Sequence, residues 1–363
     1  MSAGARPVLL VTNLVAPDRA GAFQALHARE NIELALFGGR SHHATAAVED
    51  PGVPHHTVSQ RAVYDLAASG RYRAVIAGTA GRTALPAAWA GARRARVPFL
   101  LWTALWAHPR TAAFTVAGTP LLRTLYRRAD ATITYGSHVS AFVTQRGARN
   151  VHVAPQAVDI AFWSQAVDPA QARATRPDGA KFVALNVGRA ARYKGVPELD
   201  GAWRLSGFGP PEEALMLVGE TEQDGPPLPG LHRAGRLDPV ALRNFYAGAD
   251  VLVMSAIATR HFLEPWGLVA NEAMHQRLPV IATTAVGAAA GGLVRHERNG
   301  LVIPAGDTAA LAGALCTLRE DPALRARLGA AAAQDAAAFT FDAWAAGVSS
   351  ALVSVGAGQE GDR

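Results

Sequence analysis

Residues 261–284 read HFLEPWGLVANEAMHQRLPVIATT, a stretch whose pattern indicates the class of fold. Pro265 and Gly267 flank Trp266 in a predicted turn, and helical spacing continues to Arg277. The short apolar run after Pro279 has the length and composition of a buried strand. A turn, a helix and a buried strand in this order indicate one unit of a parallel α/β sheet.

The same alternation of short apolar runs with Ala-rich helical segments occupies most of the chain. A first set consists of PVLLVTNLV, IELALFG, RAVIAGT, PFLLWTAL, DATITYG and VHVAP, and a second set of FVALNVG, ALMLVGE, HRAGR, DVLVMS, LPVIATT and GLVIP. Between the two sets lies QAVDPAQARATRPDGAK, which is polar and broken by Pro and Gly, as interdomain linkers are. The pattern predicts two doubly wound α/β domains.

Chain length supports this division, because 363 residues of which 50% are hydrophobic can bury two cores. We predict an N-terminal domain over residues 1–172 and a C-terminal domain over 178–341. A closing helix at about 342–358 is expected to pack back on the first domain. Two such domains facing across a cleft would bind ligands at the carboxyl ends of their strands.

The charge balance and the cysteine count limit the functional class. The formal net charge is +6, but the arginines are scattered, which excludes a basic arm for nucleic acid. An anionic small substrate, an anionic lipid surface or simply a basic soluble surface fits this balance. The single cysteine, Cys316, predicts a reducing cytoplasm. No apolar run reaches the length of a membrane span, and the first run is interpreted as a strand rather than a signal peptide.

Two acids border the predicted helix of the opening stretch. Glu264 precedes the helix, whose first backbone N–H groups, from Gly267, Leu268 and Val269, could bind a phosphate. Glu272 lies one to two turns further, so the two carboxylates could bracket a diphosphate and meet its sugar and its ribose. The alternative is that both are solvated acids at a helix start, where they are favoured in any case.

Cations follow the first strand of the second set. In FVALNVGRAARYKGVPEL, Arg189 and Lys194 stand just beyond the strand, and Gly188 and Gly195 permit close backbone approach. A guanidinium fork and an ammonium point charge together suit a diphosphate. Each cation alone would be an ordinary surface charge.

These residues carry a resemblance to a known family. Residues 181 to 341 resemble the C-terminal half of the family 4 retaining glycosyltransferases (glycosyltransferase group 1), which have the GT-B fold. The motifs that match are VGR and YKG, the strand ending LVGE, HRAGRLDPVALRNFYAGADVLVMSA, EPWGLVANE, AMHQRLPVIAT and RNGLVIPAGD.

The resemblance implies roles for the matching residues. Arg189 and Lys194 would bind the donor phosphates and stabilise the leaving nucleoside diphosphate, and Glu264 would meet the donor sugar. The backbone of Gly267, Leu268 and Val269 would bind phosphate and sugar, and Glu272 the ribose. The nucleotide base would rest near Gly235 and Arg236.

The N-terminal half resembles the family less closely. Gly21 follows the first strand where relatives have a Gly-Gly pair, and His108 stands where relatives often keep a histidine near the reacting sugar. Trp102 and Ser137 are candidates for the acceptor site or the cleft wall. The alternatives are a loop histidine, a core tryptophan and a structural serine.

This sequence contains no motif typical of metal-dependent or redox chemistry. There is no Asp-x-Asp arrangement, no G-x-S-x-G and no G-x-G-x-x-G after a first strand. We therefore predict a metal-independent transferase without a cofactor, whose co-substrate is a UDP or GDP sugar or another nucleotide-diphosphate sugar.

The predicted function is transfer of a sugar to an acceptor nucleophile, with retention at the anomeric carbon implied by the resemblance. Expected acceptors are a glycan, a lipid-linked glycan or a small natural product in bacterial biosynthesis. Arg123, Arg127 and Arg128 follow an apolar run at helical spacing, which leaves peripheral contact with the inner membrane face open. A sugar-nucleotide isomerase or epimerase on the same fold, and a silent sugar-nucleotide binder, also stay open.

Overall fold

The computed structural model describes residues 6–39, 50–112, 114–189, 191–219 and 228–359. The chain divides into two compact units. The first unit runs to Asp159 and resumes at Phe339, and the second is Ile160–Ala338. Residues 160–172, assigned above to the N-terminal domain, therefore group with the second unit.

In the described part of the first unit, seven parallel strands form one sheet in the order β3-β2-β1-β4-β5-β6-β7. Its strands are β1 (Val8–Thr12), β2 (Ile32–Leu36), β3 (His55–Thr57), β4 (Ala74–Gly78), β5 (Phe99–Thr103), β6 (Ala131–Thr134) and β7 (Val151–Val153). All residues of β1 and β6 are buried, and the first four residues of β1 form a continuous apolar run, as expected of a strand covered on both faces. The strand order reverses between β1 and β4, where such sheets bind ligands at their carboxyl ends.

Helices connect these strands and cover the sheet. They are α1 (Pro17–Glu30), α2 (Val63–Ala68), α3 (Ala84–Ala95), α4 (Thr119–Arg128) and α5 (Ser137–Thr144), with a π-helical turn at Phe114–Gly118. Pro120 lies in the first turn of α4 and Arg127 and Arg128 in its last, the arrangement that the proline ring and the helix dipole favour.

The second unit, over the residues that the structure describes, has six parallel strands in the order β10-β9-β8-β11-β12-β13. They are β8 (Phe182–Val187), β9 (Glu213–Val218), β10 (Leu231–Gly235), β11 (Val251–Met254), β12 (Val280–Thr283) and β13 (Gly300–Ile303). Here the order reverses between β8 and β11. Both sheets are thus doubly wound, as the sequence predicts.

Eight α-helices of the second unit lie in the described residues, and several of them begin at a capping aspartate. They are α6 (Ile160–Trp163), α7 (Pro169–Ala174), α8 (Val196–Leu205), α9 (Pro239–Gly248), α10 (Val269–His275), α11 (Gly287–Ala290), α12 (Thr308–Glu320) and α13 (Pro322–Ala336). Asp238, Asp307 and Asp321 each accept a backbone N–H at the start of α9, α12 and α13.

The stretch predicted to be an irregular linker contains α7. The Asp168 side chain accepts the backbone N–H of Ala170 at 2.7 Å, and Pro169 occupies the first helical position. A capping aspartate followed by proline is a helix start signal, which the Pro and Gly content of this stretch obscured.

The last helix, α14 (Phe341–Ser354), belongs to the first unit. Trp344 is fully buried there, with its ring centroid 5.6 Å from Phe23 and 5.8 Å from Trp102. A Cβ added at Gly21 on α1 would lie 2.3 Å from the ring of Phe341, so glycine permits the close packing of α1 against α14.

The described residues contain no single helix long and apolar enough to cross a membrane. One pair of consecutive helices, Pro322–Ala336 and Phe341–Ser354, which are bent by 46°, is long and apolar enough only when the two are taken together.

We predict that Trp344→Ala will destabilise the protein by about 3–5 kcal/mol, because it empties a fully buried aromatic site in the first core. Thermal unfolding followed by circular dichroism should show a melting temperature lower by on the order of 10 °C. The control is Val353→Ala on the same helix, whose residue is 62% exposed and whose loss should change stability by less than about 0.5 kcal/mol. Equal melting temperatures for the two variants would contradict the packing described for α14.

Candidate functional site

The candidate site of the second unit lies where its parallel strands end. Arg189 follows β8, Glu264 follows β11, and Thr284 follows β12 in adjacent strands of the sheet. Since parallel strands have their carboxyl ends at one edge, the loops after them meet there.

A short 3-10 turn, Arg192–Lys194, follows β8 and is fixed against the end of β11. The Ser255 hydroxyl donates to the Lys194 carbonyl at 3.0 Å, and the Ile257 N–H donates to the Tyr193 carbonyl at 2.8 Å. Gly195 has φ +69°, and a Cβ there would lie 1.9 Å from the Ser255 carbonyl oxygen. Any residue larger than glycine would push the turn away from the strand end.

The central contact of the site is an ion pair between two residues that the sequence analysis selected separately. Lys194 Nζ lies 2.6 Å from Glu264 Oε2, with side chains 17% and 5% exposed. A carboxylate this deeply buried is costly unless a cation accompanies it. The lysine ammonium has three N–H donors, so it can hold Glu264 and still donate to another anion.

Backbone contacts hold the loop of Glu264 in place. The Gly287 N–H donates to the Glu264 carbonyl at 3.1 Å, and the Ala288 N–H donates to the Trp266 carbonyl at 2.8 Å. A Cβ at Gly287 would lie 1.9 Å from the Pro265 carbonyl oxygen, so this approach also requires glycine. The carboxylate of Glu264 is thus presented by a loop that is packed against the start of α11.

The Pro-Trp-Gly corner has a structural explanation. Trp266 is 2% exposed, and its indole N–H donates to the Asn271 side chain at 2.7 Å. Gly267, with φ +92°, lies where a Cβ would come within 2.3 Å of Met254. The predicted helix begins at Val269. The N–H groups of Gly267, Leu268 and Val269 therefore lie at the helix start, where a helix has no carbonyl of a preceding turn to accept a hydrogen bond from them.

Glu272 does not stand on an open helix surface, because it is held by a residue that the sequence analysis missed. The Tyr246 hydroxyl donates to Glu272 Oε2 at 2.7 Å, and Tyr246 is fully buried on α9. Burial, and then the charge of Glu272, raise the pKa of Tyr246 well above its ordinary value, so the phenol keeps the proton that it donates. This bond fixes one oxygen of the carboxylate.

Arg189 stands beside the 3-10 turn, with its Nη2 donating to the Tyr193 hydroxyl at 3.4 Å. The Lys194 side chain passes within 3.4 Å of the Cβ position of Gly188, so both cations lie next to the same strand end. Tyr193 in turn packs against Phe262 in a tilted arrangement, with ring centroids 4.5 Å apart. The structure therefore brings Gly188, Arg189, Lys194 and Glu264 together.

Glycines also join the carboxyl ends of β8, β9 and β10. A Cβ on Gly219 would lie 2.0 Å from the Gly188 carbonyl oxygen, and the Gly219 N–H donates to the Gly235 carbonyl at 2.7 Å. Gly235 itself has φ +66° and open space around its Cβ position, and Arg236 beside it is exposed. Gly219 was not selected from the sequence, although its place as the glycine of LVGE, directly after a strand, was the available signal.

In the first unit, His108 lies in an aromatic cluster beside a cavity. Its ring centroid is 5.1 Å from Phe142, 5.5 Å from Phe114 and 6.1 Å from Tyr126. Burial, followed by the charges of Arg146 and Arg123, lowers the pKa of His108 to about 4. The imidazole is therefore neutral at physiological pH.

Trp102 and Ser137 occupy different surroundings. Trp102 packs against the core through Phe23 and Trp344, and the Arg19 guanidinium lies 5.8 Å from its ring centroid. Arg19 also contacts the side-chain oxygen of buried Gln156, a pairing between residues 137 positions apart that no sequence pattern indicates. Ser137 is exposed at the start of α5. Gly21, as described above, faces Phe341 of the same unit.

No three His, Cys, Asp or Glu side chains gather as a metal site in the part of the chain that the structure describes.

Comparison with known proteins identifies relatives of this chain. Residues 181–321 match the family model of the group 1 glycosyl transferases. A D-inositol 3-phosphate glycosyltransferase of Pseudarthrobacter chlorophenolicus is 32% identical over 215 residues, which are 54% of this chain and 49% of the relative. A lipopolysaccharide core biosynthesis glycosyltransferase, LpsD of Rhizobium meliloti, is 32% identical over 160 residues, 41% of this chain and 42% of the relative. The chain thus spans about half the length, or less, of these curated relatives.

Solved structures match over nearly the whole chain. Anabaena HepE in complex with UDP superposes with a TM-score of 0.75 over 96% of this chain and 100% of HepE, at 20% identity. HepE has also been solved with UDP-glucose. These matches establish the GT-B fold.

The buried ion pair yields a stability prediction. Lys194→Met should cost about 3–5 kcal/mol, because it leaves the Glu264 carboxylate buried without its cation. Adding Glu264→Gln should recover part of this loss, giving a coupling energy of about 1–3 kcal/mol in a double-mutant cycle by thermal unfolding.

The matched control is Arg192 with Glu198, a pair of 2.6 Å two residues away in which the arginine is 59% exposed. The same cycle there should give about 0.2–1 kcal/mol. Equal coupling for the two pairs would mean that the Glu264 carboxylate is not desolvated as the structure indicates.

Proposed function

We propose that this chain, whose residues 181–321 belong to the group 1 glycosyltransferases and whose fold is GT-B, transfers a sugar from a nucleotide-diphosphate sugar to an acceptor nucleophile. The observation that carries the proposal is the Lys194–Glu264 pair beside Arg189, at the carboxyl edge of the second sheet. It supplies cations for a leaving diphosphate and a fixed carboxylate within reach of the same cations.

The proposed chemistry assigns the two cations to the leaving group. When the bond between the anomeric carbon and the diphosphate breaks, negative charge grows on the departing phosphate oxygens. Lys194 and Arg189, held at one strand end, can stabilise that charge without rearrangement. The arginine fork can engage two phosphate oxygens, while Lys194 acts as a point charge.

Glu264 is proposed to orient the donor sugar by accepting a hydrogen bond from one of its hydroxyls. Its carboxylate is positioned by Lys194, and accepting a hydrogen bond from a hydroxyl needs no proton transfer. The N–H groups of Gly267, Leu268 and Val269 are proposed to contact the phosphates next to it.

Glu272 is proposed to bind the ribose. Tyr246 occupies its Oε2, which directs the carboxylate and leaves acceptor capacity for the ribose hydroxyls. The base would lie at Gly235 and Arg236, where the space around the glycine is open. The UDP complex of HepE makes uracil the first base to test.

Finer features of the proposal come from the resemblance to the family. We propose retention at the anomeric carbon, leaving-group stabilisation by Arg189 and Lys194 in place of a metal ion, and a cytoplasmic setting. For the first unit, His108, Trp102, Ser137 and Gly21 stay candidates for acceptor contact. His108 would serve as a neutral hydrogen-bonding group, since its pKa is about 4.

The direct test is a panel of UDP, GDP, TDP and ADP sugars, assayed for release of the nucleoside diphosphate with and without acceptor mixtures. A transferase should release diphosphate slowly by hydrolysis alone and faster with an acceptor that gains the sugar mass. Conversion of a donor to an isomer without acceptor would indicate an epimerase. Binding of donors with neither hydrolysis nor transfer would indicate a silent binder.

We predict that substitutions of the two glutamates will affect different ligands. Glu272→Ala should weaken the binding of both the free nucleoside diphosphate and the intact donor by about tenfold to a hundredfold. This is the usual loss of affinity when a hydrogen bond to a charged group is removed. Glu264→Gln keeps the side-chain shape and should leave diphosphate affinity near normal, while transfer from the donor falls.

Calorimetry on both variants, with Glu297→Ala as the control at an exposed glutamate, checks this division. Equal loss of diphosphate affinity in the Glu264 and Glu272 variants, with both folded, would refute the separate assignments.

A further inference from the structure

A cavity of about 610 Å³ lies beside the loop after β5 in the first unit. Its wall is formed by that loop, by the π-helical turn and the start of α4, and by the end of α5. The polar side chains that line it are His108, Arg110, Thr111, Thr115, Thr119, Gln145 and Arg146. Among the described lining residues there is no carboxylate, so the polar wall consists of hydrogen-bonding and cationic groups.

Arg146 is held in a fixed position without an acidic partner. Its Nη1 donates to the Phe142 carbonyl at 2.8 Å, and its guanidinium carbon lies 3.5 Å from the Phe142 ring centroid. Neither Arg146 nor Arg123 on α4 forms an ion pair within the described ranges. A guanidinium that is stacked but not neutralised keeps its remaining N–H donors available for an anion.

The lowered pKa of His108 is consistent with a positive potential from these two arginines. Arg146 and Arg123 add to burial in disfavouring the imidazolium, which is why the pKa of His108 falls to about 4. His108 Nε2 lies 3.4 Å from the Tyr126 hydroxyl, the other titratable group packed against the ring. A neutral imidazole beside fixed arginines can donate one hydrogen bond to an anionic ligand while the arginines carry the charge.

We infer that this cavity binds a phosphate group carried by the acceptor, with Arg146 as the main ligand and Arg110, His108 and the threonine hydroxyls as further donors. The inference rests on the proposed transfer function, because it names the chemical class of the substrate that accepts the sugar. A cavity of this size has room for the phosphate and an attached sugar or polyol. The threonines in the lining offer hydroxyl groups, and the aromatic rings of Trp106 and Phe142 offer flat surfaces, which together suit such a polar group.

The same chemistry could come from a water-soluble phosphate ester or from a phospholipid head group. A second depression, lined by Arg127, Arg128 and Arg149, extends the basic surface from the end of α4 to the residues after α5. Two probes distinguish the sources: glycerol 1-phosphate in solution, and vesicles of phosphatidylglycerol and phosphatidylcholine.

The test follows the His108 imidazole by proton NMR, with its resonance assigned from the His108→Gln variant. Glycerol 1-phosphate should shift this resonance saturably and raise the pKa of His108 from about 4 towards its ordinary value, because a bound dianion offsets the arginines. Arg146→Met should weaken that binding by about tenfold to a hundredfold. Arg94→Met, at an exposed arginine in the last turn of α3, should leave it unchanged.

Each result has a stated meaning. Shifts by glycerol 1-phosphate support a soluble ligand, and shifts by vesicles alone support a lipid head group. Absence of any saturable shift with both probes overturns the inference, and so does binding that is equal in wild type and Arg146→Met. If Arg146→Met melts at a lower temperature than wild type, Arg110→Met serves as the second variant with the same expected loss of phosphate affinity.

The outcome is separable from that of the transfer function. The NMR readout needs no nucleotide sugar, so phosphate binding can be found even if no donor is turned over. Conversely, transfer to a phosphorylated acceptor with equal kcat/KM in wild type and Arg146→Met would sink the phosphate inference and leave the glycosyltransferase proposal intact.

Discussion

The ion pair between Lys194 and Glu264 is the interaction on which the candidate site depends. A carboxylate with a 5% exposed side chain requires a cation, and that cation comes from a loop after another strand. Both loops must therefore be placed accurately. Gly195 against Ser255, and Gly287 against Pro265, allow backbone approaches that a side chain would prevent. The glycines of this region are explained by the need to bring the pair together.

The remaining charged residues of the site also have aromatic neighbours that position them. Buried Tyr246 donates to Glu272, and half-buried Tyr193, which packs against Phe262, contacts Arg189. Sites that are organised before the ligand binds lose less free energy in ordering themselves. A glycosyl transfer that relies on electrostatic stabilisation of the leaving group would benefit most from such fixed charges.

Much of the fold could be predicted because both sheets are buried on both faces and so appear as apolar runs. Lys194, Arg189, Glu264 and Glu272 were predicted from motifs at strand ends. Tyr246 was missed because its contact with Glu272 depends on how α9 packs on α10, which periodicity does not encode. The cavity at Arg146 was missed for a similar reason: loop 106–112 and the end of α5 meet only in three dimensions. The helix α7 was hidden by the Pro and Gly around it.

The role of Lys194 in stabilising the leaving diphosphate is tested most directly by measuring turnover and donor binding in Lys194→Gln, once circular dichroism shows that the variant is folded. If Lys194 stabilises charge that develops on the leaving diphosphate, kcat should fall by about a hundredfold to a thousandfold, as when one preorganised donor is lost. The Kd for the intact donor, measured by calorimetry, should change much less. A normal kcat with a raised Kd would contradict the account, because Lys194 would then act in ground-state binding alone.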